Sequence, residues 1–93
     1  MYEIAYAQSA RKALKRLRRS GLFPHAKFDA LLAFLIENKS LPASFKDHGL
    51  QGEMCASREC HLGFDLLVIY TRNEPEQVVT VQGVGTHPEL FGE

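Results

Sequence analysis

Apolar and polar positions alternate at the start of the chain and then change period. Tyr2 to Tyr6 alternates aromatic or apolar residues with polar ones over a length that suits a β-strand. Ser9 is placed as a helix N-cap. Ala10, Ala13, Leu14 and Leu17 then recur at helical spacing, and Gly21 is a natural stop. Pro24 suits the first turn of a second helix, whose broad apolar face is Phe28, Leu31, Leu32, Leu35 and Ile36. Ser40-Leu41-Pro42 ends it. From Leu41 to Gly52 the composition is loop-like, and Arg58 to Leu62 makes a short strand. Asp65 to Thr71, centred on Leu66-Leu67-Val68-Ile69-Tyr70, reads as a buried central strand. Arg72 to Glu76 is a turn, and the β-branched segment Gln77 to Gln82 pairs back. Gly83 and Gly85 break that pattern. These elements predict an α+β fold: an N-terminal strand, then two helices packed on one face of a small, mainly antiparallel sheet.

The 93 residues are expected to form one domain, 1–93. A chain of this size buries one modest core and has little room for a deep substrate cavity with lids. The longest apolar run, Ala30 to Ile36, is too short to cross a membrane, and Met1-Tyr2-Glu3 does not open a signal peptide. A cytoplasmic protein with no membrane partner is expected. Cys55 and Cys60 match neither zinc spacing nor a disulfide scaffold, and read as free thiols.

The formal net charge of zero conceals an asymmetry, because the only acid before Asp29 is Glu3. Arg11, Lys12, Lys15, Arg16, Arg18 and Arg19 fall together on the first helix, with no acid between them. A solvated helix face usually mixes signs and gains from pairs four residues apart. Here Arg11, Lys15 and Arg18 share one side and Lys12, Arg16 and Arg19 another, so like charges repel. The two readings are a solvated surface and a face that meets a polyanion, such as a phosphate backbone, or an acidic protein.

Three histidines of the second half each sit in a short polar motif, whereas His25, beside Pro24, reads as a surface residue. His48 lies in Asp47-His48-Gly49-Leu50-Gln51-Gly52, and His61 follows Arg58-Glu59-Cys60 with Asp65 four residues on. His87 lies in Gly85-Thr86-His87-Pro88-Glu89-Leu90-Phe91-Gly92. Each taken singly has a structural reading. As a group they fit acid–base chemistry near neutral pH. By residue type they also fit zinc, but no pair has ligand spacing, so no metal and no cofactor are expected. Metal-free RNA cleavage suits the set. The 2′-hydroxyl is a built-in nucleophile, histidines and a carboxylate move protons, and a cation stabilises the phosphoryl oxygens.

The same motifs, in the same order, resemble the YafQ branch of the RelE/ParE toxins of bacterial type II toxin–antitoxin pairs. The resemblance covers nearly the whole chain and rests on Phe45-Lys46-Asp47-His48 with Leu50-Gln51-Gly52, Arg58-Glu59-Cys60-His61, Asp65 leading into Leu67-Val68-Ile69-Tyr70, and Gly85 to Phe91. It implies a RelE-like β-α-α-β-β-β order and a ribosome-dependent mRNA endonuclease that cuts codons in the ribosomal A site. It further implies silencing by a cognate antitoxin, operator DNA bound only through the antitoxin complex, and no metal. Carried over by position, His48, His61, Asp65 and His87 are the acid–base residues, with His87 the general acid. Phe91 holds substrate, and the basic helix together with Lys46 faces RNA. The topoisomerase-poisoning branch does not need this histidine set.

The chain departs from the family pattern at two positions. Gly83 stands where the family has an arginine that stabilises the phosphoryl transition state, and Leu66 stands where tryptophan is common. Losing one such donor costs on the order of 10²–10³ in rate. Either another cation, such as Lys46, Arg58 or Arg72, takes the role, or the protein is an attenuated nuclease; the alternative function is that of a catalytically weak or inactive homologue that binds antitoxin or ribosome.

Overall fold

The computed structural model describes residues 1–51, 56–63 and 65–92. Cys55 and the Gly52 of the first histidine motif lie outside the described residues. Strand β1 (Glu3–Tyr6) leads into α1 (Gln8–Arg19) and α2 (His25–Ile36). A 3-10 turn at Ala43–Phe45 follows, then β2 (His48–Gly49), β3 (Ser57–Gly63), β4 (Leu66–Asn73), β5 (Val78–Gly85) and a short α3 (His87–Phe91). The sheet order is β1-β5-β4-β3-β2, antiparallel except where β1 lies parallel to β5.

The alternating pattern decides which side of the sheet the two long helices cover. Cys60 and Leu62 of β3, Val68 and Tyr70 of β4, and Val79 and Val81 of β5 join Ala10, Leu14, Phe28, Leu31 and Leu35 in one core. The cations of α1 are all exposed, because its buried positions are Ala10 and Leu14. Burial pushes the Cys60 thiol up to about 12, so it is a core residue rather than a reactive one. His25 is exposed, as expected of it.

Four local expectations are corrected. Ser9 is not the N-cap: Ala7 holds that position, and the Ser9 hydroxyl donates to the Gln82 carbonyl at 3.0 Å. Pro24 is likewise the N-cap of α2 rather than part of its first turn. The loop-like stretch contains β2, which is short enough to evade any periodicity. The strand after the turn does not stop at Gln82 but runs through Gly83 and Gly85. The ladder explains why. Tyr70 pairs with Val81 but Ile69 pairs with Gly83, so Gln82 is an extra, bulged residue and the in–out parity changes there. Val84 therefore rejoins the core, and a strand that changes parity looks broken in sequence.

Candidate active site

The side of the sheet away from α1 and α2 carries the polar residues of the histidine motifs. Glu59 pairs with Ile69, which pairs with Gly83; His61 pairs with Leu67, which pairs with Gly85. Glu59, His61, Gly83 and Gly85 thus occupy two adjacent rows on one face. His48 joins the first row because β2 pairs it with Glu59. The imidazoles of His48 and His61 lie 6.4 Å apart between ring centres. Their Nε2 atoms stand 3.5 Å and 3.6 Å from the same Glu59 Oε1. The Nδ1 of His48 is tied to the Lys46 carbonyl at 2.8 Å, which fixes the ring.

Glu59 is buried, with only 4% of its surface exposed, yet the sequence reading gave it no role. The signal that could have found it is the two-residue spacing to His61, which in a strand means the same face. His61 is held below the ordinary histidine value. Burial is the main cause, and the charges of Lys46, His48 and His87 add to it while Glu59 opposes. Neutral imidazole is therefore the prevailing form of His61 at neutral pH.

His87 begins α3, immediately beyond the Gly85 end of β5, and its charge reaches His61. Phe91 lies one turn on, its ring 5.6 Å from the imidazole. The helix is short but well capped. Thr86 accepts from the Glu89 N–H, and the Glu89 carboxylate accepts from the Thr86 N–H at 2.9 Å. Thr86-His87-Pro88-Glu89 carries the sequence signature of that box. Arg16 of α1 donates to Glu89 at 2.8 Å, which ties the basic helix to the histidine-bearing one. These bonds hold the Glu89 carboxyl below its usual range.

Asp65 sits exposed in the turn between β3 and β4, and among the described residues no hydrogen bond or ion pair joins it to a histidine. The structure thus brings His48 and His61 together on Glu59, sets His87 and Phe91 at the adjoining end of β5, and leaves Asp65 at the margin.

Two of the cations offered as substitutes for the missing arginine point the other way. Arg58 alternates with Glu59 and is gripped on the helix side by Asp47, with Nε and Nη2 at 3.1 Å and 2.9 Å from one carboxylate oxygen. Tyr70 donates to the other oxygen of Asp47 at 2.6 Å. Arg72 lies on the same side as Tyr70, over the ring of Tyr2 at 5.9 Å. Lys46 is different, because it borders His61.

The profile of a family described as "Bacterial toxin of type II toxin-antitoxin system, YafQ" matches residues 2–92. The chain belongs to this family. The mRNA interferase toxin YafQ of Escherichia coli K12 is 33% identical over 92 residues, which is 98% of this chain and 92% of that protein. A metal-bound toxin from Helicobacter pylori superposes with a TM-score of 0.89 at 32% identity, covering 98% of this chain and all of the other. The toxin of the E. coli DinJ-YafQ toxin-antitoxin complex gives 0.85 at 32% identity over 98% of each chain. The YafQ relatives share the α+β plan expected from the sequence, and the E. coli relatives are named mRNA interferase toxins.

Proposed function

We propose that this YafQ-family protein is a ribosome-dependent mRNA endonuclease, acting in the cytoplasm and silenced by its own antitoxin. The observation that carries this reading is the pairing of His48 and His61 on buried Glu59, on the sheet face that also bears the His87 end of β5. His61, neutral at physiological pH, takes the proton of the 2′-hydroxyl. The 2′-oxygen bonds to phosphorus, the P–O5′ bond breaks, and His87 protonates the departing O5′. Glu59 stabilises the imidazolium that forms on His61 and orients both rings. Asp65, from the turn beside Gly63, and Phe91, on α3, border the substrate. The cations of α1 contact ribosomal RNA.

The H. pylori relative is described as metal-bound. Among the described residues of this chain, no group of three His, Cys, Asp or Glu is arranged to hold an ion. The steps above use only side-chain acid–base chemistry. The DinJ–YafQ complex supports an antitoxin partner here. In this reading operator DNA is engaged only through this protein's own antitoxin complex. No described helix is long and apolar enough to cross a membrane.

The test is expression without antitoxin, followed by mapping of mRNA ends. Growth arrest with cuts inside reading frames, abolished by His61→Ala and by His87→Ala, is the expected result. Gly83 gives weight to one alternative, a homologue that binds antitoxin or ribosome without cutting. Ribosome association with no cleavage in the parent or in any variant would establish that alternative.

A further inference from the structure

Strand β2 is only two residues long, so it covers β3 opposite Glu59 and Arg58, and among the described residues no strand pairs with the His61–Gly63 end of that edge. Lys27 from α2, together with Ser44 and Lys46 from the turn before β2, borders this end. With His61 and Gly63 they line a basin of about 310 Å³. That volume is at the bottom of the range for small-ligand sites and has ample room for a phosphoryl group.

Both lysines are anchored at the base. Lys27 donates to the Ser44 carbonyl at 3.4 Å, with its ammonium 5.0 Å from the centre of the Phe45 ring. Lys46 holds a left-handed backbone, φ +50°, that turns the chain from the 3-10 turn into β2. Among the described residues no carboxylate lines the basin, so none of them neutralises either charge inside it. By contrast, Arg16 and Arg58 are engaged by Glu89 and Asp47.

We propose that Lys27 and Lys46 form a phosphate-binding subsite beside His61, which takes an RNA phosphate and supplies from the β3 edge the positive charge that Gly83 no longer supplies from β5. This rests on the nuclease reading for its role in cleavage, but the binding stands by itself. Two ammonium groups suit it, because point charges attract a phosphate without a fixed planar geometry. The lowered proton affinity of His61, caused in part by Lys46, agrees with their proximity.

The test is an NMR titration of the His61 ring in the full-length protein, with inorganic phosphate as the probe. In the parent, phosphate partly neutralises the lysines and raises the His61 pKa in a saturable way. In Lys27→Gln/Lys46→Gln the pKa starts higher and no longer responds; Lys46→Arg retains the response. An equal response in parent and double variant overturns the proposal. So does a double variant whose His61 titrates as in the parent. Circular dichroism of the double variant checks that it is folded, and Lys46→Gln alone gives the same comparison if it is not. In ribosome-dependent cleavage the double variant is expected to lose about 10²-fold, as for other transition-state donors. Full cleavage by the double variant, with none by His87→Ala, removes the lysines and leaves the nuclease reading standing. No cleavage by the parent removes the nuclease reading, while the phosphate titration still decides the subsite.

Discussion

Leu90 of α3 sits directly over Gly83 of β5, so close that a Cβ on the glycine would stand 2.9 Å from Leu90 Cδ2. Gly83 is not needed for a left-handed backbone: among the described glycines only Gly21 and Gly92 have positive φ. What it provides is room for the helix that carries His87. Gly83→Ala is therefore expected to cost about 1 kcal/mol, since only the flexible end of a half-buried leucine must yield. Thermal melting checks this, and Leu90→Ala should remove the penalty.

The same geometry sets what an arginine at Gly83 can do. Gly83→Arg/Leu90→Ala puts a planar cation on the face of His61 with space to lie. In a Lys46→Gln background it should restore cleavage by about 10²-fold, with a smaller gain where the lysines are intact. A folded variant no faster than its background would show that this row of the sheet does not meet the scissile phosphate.

Glu89 holds α3 from two directions, through the Thr86 N–H and through Arg16. Glu89→Ala removes both, and loss of such a cap typically costs about 1 kcal/mol. Faster amide exchange from Thr86 to Gly92 and reduced cleavage are expected, with the remaining fold intact. Unchanged exchange would mean that α3 is held by Leu90 alone.

Because Arg16 is committed to Glu89, charge reversal of the basic helix should spare it. Lys12, Lys15 and Arg19 changed together to glutamate are expected to weaken ribosome association and flatten its salt dependence, as the loss of phosphate contacts requires. Binding that is unaltered across a salt series would identify the helix as a solvated surface.

His61 links stability to pH. Its folded-state pKa lies below the ordinary 6.5, so the unfolded chain binds the proton more readily. Stability is highest above that value and falls as pH drops from 6.5 through the folded pKa. The contribution of Glu89 is lost in a separate window below the ordinary 4.5 of that carboxyl. Urea midpoints measured between roughly pH 7.5 and pH 5.5 should therefore fall with acid. His61→Gln should flatten that slope; an unchanged slope would assign it to another group.

On the helix side, Asp47 accepts from both Arg58 and Tyr70. Asp47→Ala leaves the largely buried tyrosine hydroxyl without its acceptor and is expected to cost about 2 kcal/mol. Tyr70→Phe should cost less, about 1 kcal/mol, because it removes both the group and its need. Denaturant unfolding of the two variants tests this order.

The local patterns of this chain are strong where one element uses one period. The apolar stripes of α1 and α2 and the alternation of β1 each report burial on one side, the unbroken run at Leu66 to Tyr70 reports a strand buried on both, and the sequence alone placed them. The histidine motifs and Gly83 were likewise visible as residues. Their arrangement depends on partners distant in sequence. The Gln82 bulge changes parity only because β4 fixes the register, and β2 exists only because β3 offers an edge. Glu59 matters because two imidazoles from different strands meet on it. The clearest case is the set of candidate cations. Lys46, Arg58 and Arg72 were equivalent in sequence; the pleat of β3 and β4, which sends alternate side chains to opposite faces, turns both arginines away from His61, whereas the left-handed turn before β2 leaves Lys46 beside it.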